Sequence, residues 1–271
     1  MNYSVLMSVY EKEKEEFLKQ SIESMINQTV KPSEIIIVID GEIRKSLFSV
    51  IENIKNRTSI DIVTIQLDKN YGLGYALDIG LKHCKNELVA RMDSDDISKY
   101  DRCEKQIKRF YDNNKLVMVG SHVDEFYNDP QKIISSRKVP IKYSDIKKYI
   151  NRRSPFNHPS VMYKKNKVLS VGGYLSLKKK QDYDLFSRMI NNELLAENID
   201  ESLVLFRSNE DNFKRRKSFQ YCKSYIDVQF RIWKRKHCST FDLLFVTLAQ
   251  TFIYLVPLKI FKKLSNLFLR N

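Results

Sequence analysis

The chain has 271 residues, 42% hydrophobic and 11% aromatic, enough for one large domain, or one domain with an appendage, around a sizeable core. Seven glycines and six prolines leave little room for long linkers, and four scattered cysteines (Cys84, Cys103, Cys222, Cys238) argue against a zinc site or a disulfide framework and for free thiols in a reducing compartment. The net charge of +14 is concentrated late: from Lys214 onward thirteen Lys or Arg stand against two acids, Asp227 and Asp242, so any attraction to a polyanion belongs to that tail.

The first residues, "MNYSVLMSVY", lack the features of a secretory signal and enter a strand pattern, "SVLMSVY" (4–10). "FLKQSIESMINQ" then places Phe17, Leu18, Ile22, Met25 and Ile26 on one helical face. "EIIIVI" (34–39) is a continuous β-branched run, as in a strand covered on both sides. A polar helical stretch leads to "IDIVTIQL" (60–67), and "NYGLGYALDIGLKHC" supplies a Gly-containing turn and a short helix. "ELVARM" (87–92) is the next strand, "DRCEKQIKRFYDNN" the next helix, and "KLVMVGSH" (115–122) a further strand. This alternation predicts an α/β fold with a mostly parallel sheet and helices on both faces. Beyond residue 125 the rhythm loosens.

Ligands of open parallel sheets bind beyond the carboxyl ends of the strands. There stand Tyr10 and Glu13 after the first strand, Asp40 after the second, Asn70 after the third, and Asp93, Asp95 and Asp96 after the fourth. The cluster "RMDSDD" (91–96) has two readings. Asp95 or Asp96 could cap the following helix, or the carboxylates could hold a hard divalent cation together with substrate phosphates. Both could hold at once, with Asp96 capping and Asp95 on the metal.

"SVLMSVYEKE", "EIIIVIDG", "NYGLGYALDIGLKHC", "ELVARMDSDD" and "GGYLSLKKKQDYDLFSRM" (172–189) resemble, in order and spacing, the family 2 glycosyltransferases of the GT-A fold. The resemblance covers roughly the first 210 residues and implies an inverting, metal-dependent transfer from a UDP-sugar. It implies that Val9, Tyr10 and Glu13 line the uracil pocket, with Asp40 on the ring and Asn70 beside the nucleotide. Asp93 would reach the ribose or the metal, and Asp95 would ligate Mn²⁺ or Mg²⁺ on the diphosphate. Asp182 in "QDYDL" matches the catalytic base. His158 in "NHPSVMY", Gln181 and Arg188 become candidates for acceptor or diphosphate contacts. Ile39–Asp40 and Gln181–Asp182 each show one acid where many members show two, and Asp78 stands where many carry Asn. The QxxRW signature of processive synthases is absent from the second half, which implies one sugar per acceptor.

Local pattern leaves alternatives beside these roles. Asp182 could cap a helix whose Leu185, Met189 and Ile190 pack inward, and Asp184 competes with it as the base. His158 could be structural, and Arg188, Arg207 and the "KRRK" run (214–217) could form a solvated basic face as readily as contact diphosphate.

The remainder, 219–271, mixes aromatics with basic residues and then runs strongly apolar from 241 to 261, interrupted by Asp242, Gln250 and Pro257. A basic amphipathic segment on an anionic membrane surface fits this better than a span or a nucleic-acid binder, which would show a zinc-finger, RNP-like or helix-turn-helix signature. The alternative is a helical hairpin packed on the rest of the protein or at a dimer interface. The expected organisation is a catalytic domain over 1–213, with 1–125 the nucleotide-binding half and 126–213 the acceptor-binding half, followed by a membrane-associating segment over 214–271. The expected setting is the cytoplasmic face of the inner membrane, with a lipid-diphosphate-linked saccharide as acceptor. A sugar-nucleotide nucleotidyltransferase would want a Gly-rich phosphate loop where "VYEKEKEEF" stands. A catalytically silent membrane-surface or nucleic-acid-binding protein on the same sheet is the rival from another class.

Overall fold

The structure is a computed structural model that describes residues 1–208 and 210–257, with side chains for all of these but 210–213. Nine strands form one sheet, and its first half follows the expected rhythm: β1 (Tyr3–Val9), α1 (Glu15–Ile26), β2 (Glu34–Ile39), α2 (Lys45–Lys55), β3 (Asp61–Gln66), α3 (Leu73–His83) and β4 (Leu88–Arg91). β5 (Ile97–Ser98), α4 (Arg102–Asp112), β6 (Met118–Phe126), β7 (Ile133–Arg137) and α5 (Tyr143–Tyr149) follow. Then come a 3-10 turn at His158–Ser160, β8 (Met162–Lys164), α6 (Lys165–Ser170), α7 (Gln181–Asn191) and β9 (Ala196–Arg207). Three helices close the described chain: α8 (Glu210–Lys217), α9 (Phe219–Lys234) and α10 (Thr240–Leu255).

The strand order is β3-β2-β1-β4-β8-β6-β9-β5, with β7 on β6. β3, β2, β1 and β4 are mutually parallel, as are β6 and β9, whereas β8, β7 and β5 pair antiparallel with their neighbours. The side chains of the unbroken apolar runs divide between two cores. Val5, Met7, Ile35, Ile37 and Ile39 point towards α1, α2 and α4, whereas Leu6, Ile36 and Val38 point towards α3, α7 and α9. Residues buried on both faces at about 1.5–3 kcal/mol per large side chain explain why no polar alternation marks these strands. The chain runs outward from β1 to β3 and returns on the far side of β1 as β4, so a crevice opens between the carboxyl ends of β1 and β4.

The last helices are integrated with the rest of the fold. Tyr225, Val228 and Ile232 of α9 enter the same core as Leu185, Phe186 and Met189 of α7. The Tyr183 hydroxyl lies 2.8 Å from Gln229 Oε1 and 2.9 Å from the Ile150 carbonyl. α10 opens with a capping box between Ser239 and Asp242 and packs on α9. Asp242 and Gln250, read in the sequence as interruptions, are buried on its inner side, while Phe241, Leu244, Leu248, Phe252 and Leu255 stay exposed. Described residues therefore form the packed hairpin that stood as the alternative to a membrane-surface segment, and they leave an apolar face outward. No described helix is long and apolar enough to cross a membrane. The rest of the expected tail, 258–271, lies outside the described residues.

Candidate active site

A cleft of about 1660 Å³ lies over the crevice, walled on one side by the carboxyl ends of β1, β2 and β4 and on the other by the start of α7 and by α9 and α10. Tyr10, Glu13, Asp40, Asn70, Asp93, Asp95, His158, Gln181 and Asp182 all line it, so most of the predicted site residues converge.

The tight turn after β4 brings carboxylate oxygens of Asp93, Asp95 and Asp96 within 4.8 Å of one another. Arg91, fully buried beneath them, pairs with Asp93. The Ser21 hydroxyl donates to the Asp93 carbonyl (2.6 Å), and the Ser94 hydroxyl donates to Glu13, which clamps the turn to α1 and to the end of β1. Asp96 does not cap α4. One of its oxygens accepts the Arg207 backbone N–H at 2.8 Å, holding the end of β9, and the helix's N-cap residue is Asp101, whose carboxylate makes no capping bond and pairs instead with Lys105 (2.8 Å). The other Asp96 oxygen is buried with no hydrogen-bond partner among the described residues.

Burial, then the charges of Asp93 and Glu13, push the Asp95 carboxyl up to about 7. Burial and the charges of Asp95 and Asp93 hold Asp96 well above the carboxylate range. Three crowded hard oxygen donors, one of them buried and unpartnered, fit a divalent cation of the Mn²⁺ or Mg²⁺ class.

Asp40 takes the backbone N–H groups of Tyr71 and Gly72 on its two carboxylate oxygens (2.8 and 2.9 Å), and Asn70 Nδ2 donates to its carbonyl (3.2 Å). These contacts shape the loop between β3 and α3 against the end of β2. Gly41 makes the approach possible: it sits at φ +85°, and a Cβ there would lie 2.7 Å from the Asn70 nitrogen. Val9 departs from its expected role. Its side chain is in the core and its carbonyl accepts the Asp40 N–H (2.9 Å), so it supports the pocket from behind. Phe17 departs the other way. The helical face assigned it to the core, but it lines the cleft, with the Arg207 guanidinium 3.8 Å from its ring centre. Arg207 also donates from Nε to the Asp95 carbonyl (2.8 Å).

The start of α7 separates the two competing aspartates. Asp182 reaches the cleft, and no described residue hydrogen-bonds its carboxylate. Asp184 points into the protein, fully buried between Arg188 (2.8 Å) and Arg235 (2.6 Å). Arg188 is thereby placed away from any diphosphate, since its guanidinium serves Asp184 and the carbonyls of Val171 and Gly173. Gln181 and His158 are buried in the cleft wall; His158 Nε2 meets the Tyr174 hydroxyl at 2.9 Å, and burial, with the charge of Arg91, holds its pKa well below the usual value. Asp78 faces the Tyr174 backbone N–H (3.1 Å) and Lys82 (2.8 Å), and is not among the residues lining the cleft.

Sequence reasoning missed Arg91, Ser94 and Lys180. An arginine ending a buried strand next to three acids was a readable signal for a counter-ion. Nothing local announces Lys180, which takes a left-handed backbone (φ 64°) before α7 and sets its ammonium 4.3 and 4.7 Å from the ring centres of Tyr225 and Tyr221.

Comparison with known proteins identifies the family and the fold. The family model "Glycosyl transferase family 2" matches residues 4–172. An Escherichia coli UDP-Gal:alpha-D-GlcNAc-diphosphoundecaprenol beta-1,3-galactosyltransferase is 36% identical over 98% of both chains. The amylovoran biosynthesis glycosyltransferase AmsE of Erwinia amylovora is 33% identical over 95% of this chain and 96% of its own. Among solved structures, S. aureus TarS 1-349 in complex with UDP-GlcNAc superposes with a TM-score of 0.66 at 16% identity, covering 99% of this chain and 73% of that one. The mannosyltransferase PcManGT from Pyrobaculum calidifontis, in complex with GDP-Man and Mn²⁺, reaches the same TM-score at 12% identity, covering 94% and 70%. With a GT-A sheet, a family model matching more than half of the chain and glycosyltransferase relatives 33–36% identical over nearly the full chain, the chain belongs to glycosyl transferase family 2 and is a glycosyltransferase.

Proposed function

We propose that the protein moves a single sugar from a UDP-sugar, with inversion, onto a saccharide carried by a lipid diphosphate in the synthesis of a capsule, O-antigen or exopolysaccharide. The observation that carries this reading is the pairing, in one cleft, of the acidic turn at 93–96 with a cleft-facing Asp182 that no described residue hydrogen-bonds. The name of the E. coli relative and the UDP-GlcNAc complex of TarS support the choice of acceptor and donor classes.

In this reading Tyr10, Glu13, Asp40 and Asn70 hold the nucleotide, and Asp95 with Asp93 holds Mn²⁺ or Mg²⁺. When bound, the cation supplies Lewis-acid stabilisation to the leaving diphosphate, worth several kcal/mol. Asp182 accepts the proton of the attacking acceptor hydroxyl as the new glycosidic C–O bond forms and the C–O bond to UDP breaks. A base of this kind contributes about 10²–10⁴-fold, and a single displacement inverts the anomeric centre. Gln181 and His158 shape the wall beside the acceptor. Residues 1–125 serve the donor and 126–213 the acceptor, while the basic and apolar segment from 214 rests on the anionic cytoplasmic face of the inner membrane.

The test is calorimetric binding of a UDP-sugar panel with Mn²⁺ and with EDTA, alongside UDP release. One UDP-sugar should bind only with metal, and Asp95→Asn should abolish that binding. Asp182→Asn should keep it and lose turnover about 10²–10⁴-fold. If no nucleotide sugar binds with metal present, the proposal fails.

A further inference from the structure

The cleft is electrically two-ended. Glu13, Asp40, Asp93 and Asp95 crowd the end over β1 and β4, the end that would take a cation with its diphosphate. The other end is lined mainly by Arg152, Arg153, Lys178, Lys179 and Lys180, which outnumber Asp182 and Asp242 beside them. Contacts make this second end one continuous patch. Lys180 lies over the rings of Tyr221 and Tyr225, the Tyr225 hydroxyl donates to the Arg152 carbonyl (3.2 Å), and Arg152 pairs with Asp242 and stacks 4.6 Å from the Phe245 ring centre. Among the described residues no carboxylate lies within ion-pair distance of Lys179 or Lys180. Lys180 hydrogen-bonds Tyr221 and feels the charge of Asp182, yet no described acid pairs with it directly, so its cation can meet an anion that enters. Partial desolvation by the cleft walls and the nearby Arg215 charge lower the Lys179 pKa, the response of a cation in a site short of negative charge.

Directly beside the basic patch the wall changes character. Phe245, Val246, Ala249 and Ile253 of α10 line the same cleft, and the helix continues outward into the exposed Leu248 and Phe252. A ligand matching this wall carries anionic charge at one point and hydrocarbon immediately next to it.

We propose that Lys179 and Lys180 bind the diphosphate of the lipid-linked acceptor and that the cleft face of α10, from Phe245 to Ile253, receives the first part of its hydrocarbon chain. The inference rests on the transferase reading of the cleft and adds where the acceptor's polar–apolar junction sits. Two diphosphates then occupy one cleft in different ways: the donor's against a cation among carboxylates, the acceptor's against lysines.

Binding of farnesyl diphosphate, farnesol and inorganic pyrophosphate to the full chain in detergent tests this, with metal-dependent UDP-sugar binding measured on the same samples. Farnesyl diphosphate should bind at least tenfold more tightly than either fragment. Lys179→Glu and Phe245→Ser, both at exposed positions that burden folding little, should each weaken it at least tenfold. UDP-sugar binding should change less than twofold, which also reports that the variants are folded. Pyrophosphate binding as well as farnesyl diphosphate would show that α10 takes no hydrocarbon and would overturn the proposal. So would indifference of farnesyl diphosphate binding to Lys179→Glu. If Lys179→Glu instead removes binding to phosphatidylglycerol vesicles by the same factor, the lysines read bilayer headgroups and the acceptor assignment falls. Loss of UDP-sugar binding in the unaltered protein would sink the donor reading, whereas intact UDP-sugar binding with no farnesyl diphosphate binding sinks only the acceptor subsite.

Discussion

Two aspartates two residues apart, Asp182 and Asp184, receive opposite environments from one turn of helix. Asp182 is left to the cleft, and Asp184 is enclosed by two guanidinium groups. Breaking a buried ion pair by removing one partner typically costs about 3–5 kcal/mol. Asp184→Asn should therefore lower stability by that order in urea titration, whereas Asp182→Asn should leave the unfolding midpoint within about 0.5 kcal/mol, the usual range for a surface change. The acidic turn yields a pH prediction of definite sign. Burial and the charges of Asp93 and Glu13 push the Asp95 carboxyl up to about 7 in the folded, metal-free protein, above its unfolded value, so the native state holds the extra proton. This contribution is fully present at low pH and is lost as pH rises towards 7. A cation must displace that proton, so its apparent affinity should fall by up to about tenfold per pH unit below 7. The rise in melting temperature on adding Mn²⁺ should accordingly be larger at pH 8 than at pH 5.5, and an equal rise at both would contradict it. At this scale the sequence was readable where a residue follows a strong strand, as with Tyr10, Asp40 and Asp95. It was unreadable where a partner arrives from far along the chain: Asp96 is claimed by Arg207, more than a hundred residues later, and no local pattern carries that.

Elements were legible in proportion to their hydrophobic signal. β1 and β2 are mostly apolar with both faces covered, and the period of α1 is clear apart from Phe17, which only the approach of β9 turns into a cleft residue. β5, β7 and β8 are short and paired antiparallel, so their identity depends on neighbours that the pattern does not name. The tail helices show the same limit. Their basic and aromatic composition suggested a surface segment, yet α9 supplies part of the core that supports α7. Ile232 is fully buried there, and Ile232→Ala should cost about 2–5 kcal/mol in urea titration. Ending the chain at residue 217 should unfold the region around α7, seen as loss of hydrogen-exchange protection over 181–191. A truncated protein with native protection there would mean that the tail is a detachable appendage.

The whole molecule presents acid at one end of the cleft, basic charge at its other end and on the late helices, and an apolar face of α10 towards solvent. If those helices meet an anionic bilayer, vesicle binding should combine two dependences. It should fall on going from low salt to about 1 M, where the Debye length shrinks to about 3 Å. The double change Leu248→Ser with Phe252→Ser should weaken it at every salt concentration. Insensitivity to both would place the contact elsewhere.

The capping box that opens α10, with Asp242 tied to Arg152, has a geometric consequence. The Arg152 pair, with Val246 and Gln250 buried along the same helix, holds the helix against rotation about its own axis, so Leu248 and Phe252 have one bearing relative to the cleft mouth. Whatever plane those side chains settle against must therefore see the cleft at a single tilt. A rigidly set angle of approach would let every encounter with that plane present the same opening to it.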